Sequence, residues 1–249
     1  MAIKTILVSQ PKPETEKSPY FDLATKYNVK VDFRPFIKVE GIDVQEFRSS
    51  RVHLNEYTAV ILNSKNAVDH YFRLAKETRF TVPESMKYFC LTEAIAYYLQ
   101  KYVVFRKRKI FHGKQKIQDL MEVIKKNKDE KFVIPCSDIH KNDIPDVLDE
   151  VGIKYSKAIM FKTVSDTLSD LADVKYDMLA FFSPQGIESL FENFPKFKQN
   201  ETKIAAFGQS TIKAAEDAGL VVDIKAPLPE CPSMTMAIER YLVMNGKKK

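Results

Sequence analysis

The chain has 249 residues, 45% of them hydrophobic, with 7 glycines, 12 prolines and a formal charge of +6. That is enough apolar material for one large or two small cores, and it excludes a disordered chain, a fibrous repeat and a disulfide-built secreted scaffold. The positive balance favours an anionic partner only mildly, because the terminal Lys247–Lys249 supplies half of the excess.

Ile3–Ser9 reads as a first strand, and the proline-rich Gln10–Pro19 cannot continue it. Tyr20, Leu23, Ala24 and Tyr27 follow at helical spacing, then Val29, Val31 and Phe33 alternate as a strand that Pro35 ends. Phe36–Ile42 is extended and leads away, as a first crossing between domains. Val60–Leu62 is a buried strand that enters Asn63-Ser64, after which Ala67, Val68, Tyr71, Phe72 and Ala75 mark a helix face. Tyr88–Cys90 is the next strand, running into Thr92–Ala96. The basic run Arg106–Lys109 begins in a predicted strand and solvates an edge. A helix is predicted over Ile117–Lys126, a strand over Phe132–Pro135, and Ser137 precedes a helix carrying Ile144, Val147, Leu148 and Val151. Ala158–Thr163 is extended and returns beside Phe36–Ile42.

The second half repeats the first. A strand through Phe182 enters Ser183-Pro184, a serine N-cap with proline at the first helical position, and Ile187, Leu190, Phe191 and Phe194 continue at helical spacing. Ser64 and Ser183 stand 119 residues apart, as do Val68 and Ile187, so the two strand-helix units read as copies. The stretch KIAAFGQSTIKAAEDAGL, Lys203–Leu220, then places a buried strand, one glycine and a helix start crowded with donors in a row, the outline of an anion site.

These patterns predict an α/β protein of two doubly wound, parallel-sheet, flavodoxin-like lobes joined by a two-stranded antiparallel connector. One lobe is discontinuous, residues 1–36 plus 165–249, and the other is 37–164. Ligands of such sheets sit beyond the carboxyl ends of the strands. Those ends carry Ser9, Asn63-Ser64, Ser137, Ser183 and Gly208–Thr211, small or polar residues suited to holding carboxylates in a cleft.

Cys90, Cys136 and Cys231 are odd in number and form no C-x-x-C pair, so reduced thiols are expected. His53, His70, His112 and His140 show no ligand spacing, so no metal is expected. The N-terminal MAIKTILVSQ is too short for a signal-peptide core and no apolar stretch reaches membrane-spanning length, which predicts a soluble cytoplasmic chain. No G-x-G-x-x-G follows a strand, no acidic cluster follows the first strand, and no aromatic base-stacking motif accompanies the basic run. These absences argue against dinucleotide, receiver and nucleic-acid readings.

The order FFSP-x-G-I, AAFGQST-x-K-AAEDAGL and PECPSMTMAIERYL resembles the uroporphyrinogen-III synthase family. Pro19-Tyr20, Val60–Val68, the stretch FVIPCSDIHKNDIPDVL and Met160–Thr163 fall in the same family order. The resemblance implies a bilobal hydro-lyase with flexible lobes that cyclises the linear tetrapyrrole hydroxymethylbilane, inverting ring D. It implies no cofactor or metal, no nucleic-acid or membrane partner, and a monomer. The substrate-binding positions that follow are Asn63, Ser64, Ser137, Phe161, Ser183, Gln185, Gly208, Gln209, Ser210 and Thr211. Three departures stand out. Leu91 and Ala94 replace the family's glycine and threonine, Asn63 its threonine, and Phe161 a tyrosine that could have given a proton to the departing hydroxyl. No catalytic residue is assigned, and Phe161 is expected as an apolar floor beneath the pyrroles. The alternative is a catalytically degenerate paralogue that binds tetrapyrroles or another polycarboxylate without turning it over.

Overall fold

The computed structural model describes residues 3–15, 17–139, 143–172 and 174–246. His140 and Lys247–Lys249 lie outside the described residues. In chain order the regular elements are β1 (Thr5–Val8), α1 (Pro19–Tyr27), β2 (Lys30–Phe33), β3 (Ile37–Gly41), α2 (Val44–Ser49), β4 (Ala59–Leu62), α3 (Lys65–Glu77), β5 (Lys87–Cys90) and α4 (Glu93–Tyr98). They continue as β6 (Ile110–His112), α5 (Met121–Lys126), β7 (Phe132–Ser137), α6 (Asp143–Glu150), β8 (Tyr155–Ser165), β9 (Met178–Phe181), α7 (Pro184–Asn193), β10 (Lys203–Phe207), α8 (Gln209–Asp217), β11 (Val222–Ala226) and α9 (Met234–Gly246).

The chain divides into two compact units, residues 1–38 with 164–249 and residues 39–163. The first holds a five-stranded sheet in the order β11-β10-β9-β1-β2, with every neighbouring pair parallel. Strand alternation divides its core in two. Ile6, Val8, Met178 and Ala180 face Leu23 of α1 and Met234, Ala237 and Ile238 of α9. Leu7, Leu179, Phe181 and Ile204 face Ile187 and Leu190 of α7 and Ala215 of α8. The helices after β1 and β9 therefore leave on opposite faces, which makes the gap between these neighbouring strands a topological switch point.

The second unit repeats the plan in a six-stranded sheet, β3-β8-β7-β4-β5-β6. Val60, Leu62, Tyr88 and Cys90 pack under α3 and α4, whereas Ala59, Ile61, Phe89, Phe132 and Ile134 pack under α5 and α6. Its switch point lies between β4 and β7, which pair in parallel. The edge strand β3 differs. Asp166 N–H donates to Phe36 C=O at 2.9 Å and Ile42 N–H to Met160 C=O at 3.2 Å, so partner numbers run in opposite directions and β3 lies antiparallel to β8.

Two expectations need correction. Arg106–Lys109 does not begin in a strand: it forms a loop and turn before β6, fastened by an Arg106–Glu84 ion pair of 3.1 Å and by Lys109 donating to Glu84 C=O. The helix expected over Ile117–Lys126 opens as a 3-10 turn, Ile117–Leu120, before α5. The cause is local. The Asp119 carboxylate accepts the N–H groups of Lys114, Gln115 and Lys116 at 2.9–3.1 Å, which tightens the chain just before the helix.

Candidate substrate-binding strand ends

In the first unit the carboxyl end of β9 runs through Phe182 into Ser183, whose hydroxyl caps α7 by accepting Gly186 N–H at 3.2 Å. Pro184 opens the helix without an N–H, so Gln185 presents the first amide lacking an intrahelical acceptor. A methyl group on Gly186 would lie 3.6 Å from Ser183 Oγ and 3.8 Å from Ser9 Oγ. Hydroxyls from β9 and β1 thus flank the first turn of α7 at the switch point. On the next strand Gly208 holds φ at +89°, with nothing within 4 Å of where a side chain would start. Thr211 and Ile212 donate to Gly208 C=O, leaving the amides of Gln209 and Ser210 at the open end of α8. Gln209 and Ser210 are exposed.

Thr211 is different. Although expected at the cleft, its side chain is only 1% exposed, because the helical turn that points Gln209 and Ser210 outward turns the third residue toward the sheet. A feature missed in the sequence lies at the ends of the same two strands, on the face toward α1 and α9. Phe182 and Phe207, the last residues before the two helix starts, stack with ring centroids 6.0 Å apart. The signal was present as an aromatic residue ending each of two neighbouring strands.

In the second unit Asn63 is exposed at the end of β4, and the Ser64 hydroxyl caps α3 through Ala67 N–H at 3.1 Å. At the end of β7 the Ser137 hydroxyl donates to Asp138 Oδ1 at 2.7 Å, and Thr163 N–H donates to the same oxygen at 3.3 Å. Desolvation pushes the Asp138 carboxyl up, but the Ser137 hydroxyl, the Ile139 and Thr163 amides and Lys162 together hold it below the usual carboxylate range. Sequence reading passed over Asp138, and the Ser-Asp pair closing an apolar strand was the available signal. Leu91 is half-buried and Ala94 exposed after β5, with Thr92 capping α4 through Ile95 N–H.

Phe161 is not an apolar floor open to ligand. It is 7% exposed and stacked on His70 of α3, centroids 5.1 Å apart and planes 22° apart. A register shift between Cys136 and Ser137 pairs Ser137 with Phe161, and the ring completes the core beneath α3. His70 Nδ1 accepts the Arg73 Nε–H at 3.1 Å, and burial first, then the Arg73 charge, holds the imidazole below the ordinary histidine value. A base whose folded pKa is depressed contributes stability above its unfolded value, about 6.5, and loses it as pH falls through the folded one. The urea midpoint should therefore drop between pH 7 and pH 5, and His70→Gln, which keeps an acceptor without a titrating ring, should flatten that slope. An unchanged slope in the variant would refute the assignment.

Among the described residues, no group of three or more His, Cys, Asp or Glu side chains gathers as a metal set, and no helix is long and apolar enough to cross a membrane. Cys90, Cys136 and Cys231 are free and buried, and burial pushes the Cys90 thiol up to about 12.

Residues 19–236 match the family described as Uroporphyrinogen-III synthase HemD. The chain belongs to the uroporphyrinogen-III synthase family. Enzymes of this family act in tetrapyrrole biosynthesis. Among curated relatives, the uroporphyrinogen-III synthase of Chlorobaculum parvum is 24% identical over 258 residues, covering 96% of this chain and all of that protein. The Saccharomyces cerevisiae uroporphyrinogen-III synthase is 27% identical over 139 residues, half of each chain. The crystal structure of the Helicobacter pylori uroporphyrinogen-III synthetase matches with a TM-score of 0.57 at 16% identity, covering 97% of this chain and 100% of that one. A mutant uroporphyrinogen III synthase of Thermus thermophilus matches with a TM-score of 0.50, also at 16% identity, over 97% and 99%. At that identity these structures speak for the fold.

Proposed function

We propose that this member of the uroporphyrinogen-III synthase family closes hydroxymethylbilane to uroporphyrinogen III, with loss of water and inversion of ring D. The observation that carries this reading is the family match over nearly the whole chain, joined to strand ends furnished with open amides and hydroxyls. Loss of the hydroxymethyl oxygen gives an azafulvenium electrophile, the terminal pyrrole attacks through its substituted carbon, and a spiro intermediate fragments and recombines. The pyrroles carry the reacting electrons. Unassisted closure gives the uninverted isomer, so the main task of the protein is geometric.

In this reading the open first turns of α7 and α8, with Ser183, Gln185, Gln209 and Ser210, hold acetate and propionate arms. Asn63, Ser64 and Ser137 serve the arms presented to the second unit. The Phe182–Phe207 stack offers an apolar surface to the pyrrole rings next to the amides that take their carboxylates. The protein acts as a monomer, without metal or cofactor.

The test is incubation of the purified protein with freshly made hydroxymethylbilane, followed by oxidation and separation of the type I and type III uroporphyrins. Predominant type III product is expected. Tight binding with only type I product would overturn the enzymatic reading and leave the degenerate paralogue, for which Leu91, Ala94 and Phe161 would be the sequence cause.

A further inference from the structure

The first unit contains a cavity of about 860 Å³ at the opposite edge of its sheet from Ser183 and Gly208. Its lining includes Ile3, Asp177 and Lys203, which stand at the amino ends of β1, β9 and β10. The cavity has a topological cause. On this face α7 and α8 pack over β9 and β10, whereas beside β1 the described chain offers only a 3-10 turn, Ser169–Leu171, and the residues leading to Tyr176. Leu7 and Leu179 form the floor, and Leu190 and Phe194 of the α7 end form one wall.

The rim has the other half of an amphipathic site. Among the described lining residues, four lysines stand against two carboxylates. Lys203 is committed to Asp223 at 3.0 Å, but Lys175, Lys196 and Lys198 are exposed and make no ion pair among the described residues. Of the carboxylates, Asp177 is turned inward onto the amides of Lys4 and Thr5 and the Thr5 hydroxyl, at 2.8–3.0 Å. Among the described lining residues, only Glu201 is left to oppose these three lysines. A volume within the range of small-molecule sites, apolar walls and a cationic lip select one ligand chemistry.

We propose that this cavity binds an amphipathic organic anion, its apolar body on Leu179, Leu190 and Phe194 and its acidic head at Lys175, Lys196 and Lys198. The site is independent of the strand ends assigned to the tetrapyrrole and does not rest on that assignment. Two sources share the chemistry, an aliphatic carboxylate and an aromatic acid, and the experiment separates them.

The chain has no tryptophan, so Phe194→Trp places a single indole on the cavity wall, which can be excited apart from the tyrosines. Titration with decanoate and, separately, with anilinonaphthalene sulfonate should give a saturable, one-to-one change in its emission. The arm that binds more tightly identifies the aliphatic or the aromatic source. Adding Lys196→Glu and Lys198→Glu, both on exposed positions, should weaken the anions by about tenfold or more while leaving decanol unaffected. Calorimetry on the protein with Phe194 retained, with and without the two lysine changes, repeats the comparison if the tryptophan disturbs folding. Absence of saturable binding, or binding equally strong after charge reversal, would overturn the proposal.

Discussion

Gly208→Ala will lower the rate of type III formation on the order of a hundredfold, while the same substitution at Gly219 leaves that rate unchanged. Both glycines hold positive φ, +89° and +81°, and neither has an atom within 4 Å of a would-be Cβ. Each alanine therefore meets backbone strain and no collision, at a cost of about 1–3 kcal/mol in stability. The positions differ in what the strain moves. Gly208 C=O accepts from both Thr211 and Ile212, and the Gly208 N–H donates to Ala226 C=O, so relaxation there swings the Gln209 and Ser210 amides off their aim. Gly219 follows the far end of α8, its N–H bonded to Glu216 C=O at 2.9 Å. Urea melts of both variants beside the isomer assay separate the two effects. Equal rates after normalising for folded protein would remove the α8 amides from the proposed site.

The contrast between Ser183 and Phe161 shows what a sequence can reveal about such a site. Ser183 and Ser64 were legible because capping is local chemistry: a side-chain oxygen three residues before an orphan amide behaves alike wherever the helix lies. Parallel pairing was legible from the same units, since alternating strands and helices supply the crossovers that parallel neighbours need, but the order of the strands was not. Thr211 stands four residues before Ala215 on the buried stripe of α8, so its inward position was legible in the helical period. Phe161 was misplaced because its exposure depends on a group distant in sequence: it meets its partner His70 only when α3 crosses β8. The basic run failed for a related reason. Val104 and Phe105 have strand composition, yet they stay exposed, at 79% and 41%, because pairing with β5 starts only at Ile110.

Arg73 supplies the second large effect, and it should appear as a change of sign. Its Nη2 donates to Ile42 C=O at 2.9 Å and to Met160 C=O at 3.1 Å, Nη1 to Glu77 at 2.8 Å, and Nε to His70. One side chain of α3 thereby ties the end of β3 to β8. Room for it exists because residue 41 is glycine: a methyl group there would lie 2.5 Å from Nη2 and 2.7 Å from Cζ. The guanidinium ends a flexible side chain, but it can retreat only by giving up the two carbonyls. Arg73→Met should cost about 2–3 kcal/mol, the scale of charge-assisted bonds left unmade. Gly41→Ala should cost about 1–2 kcal/mol by displacing the same group, since those bonds carry the loss. In the Arg73→Met background Nη2 and Cζ are gone, and the thioether, which bonds neither carbonyl, turns aside at little cost from the Nε position, 2.8 Å from the added methyl. The restriction of the unfolded chain then dominates. Gly41→Ala there should stabilise by about 0.5 kcal/mol. Urea denaturation of the four proteins closes the cycle, and additivity within a few tenths of a kcal/mol would show that Gly41 is not there to admit Arg73.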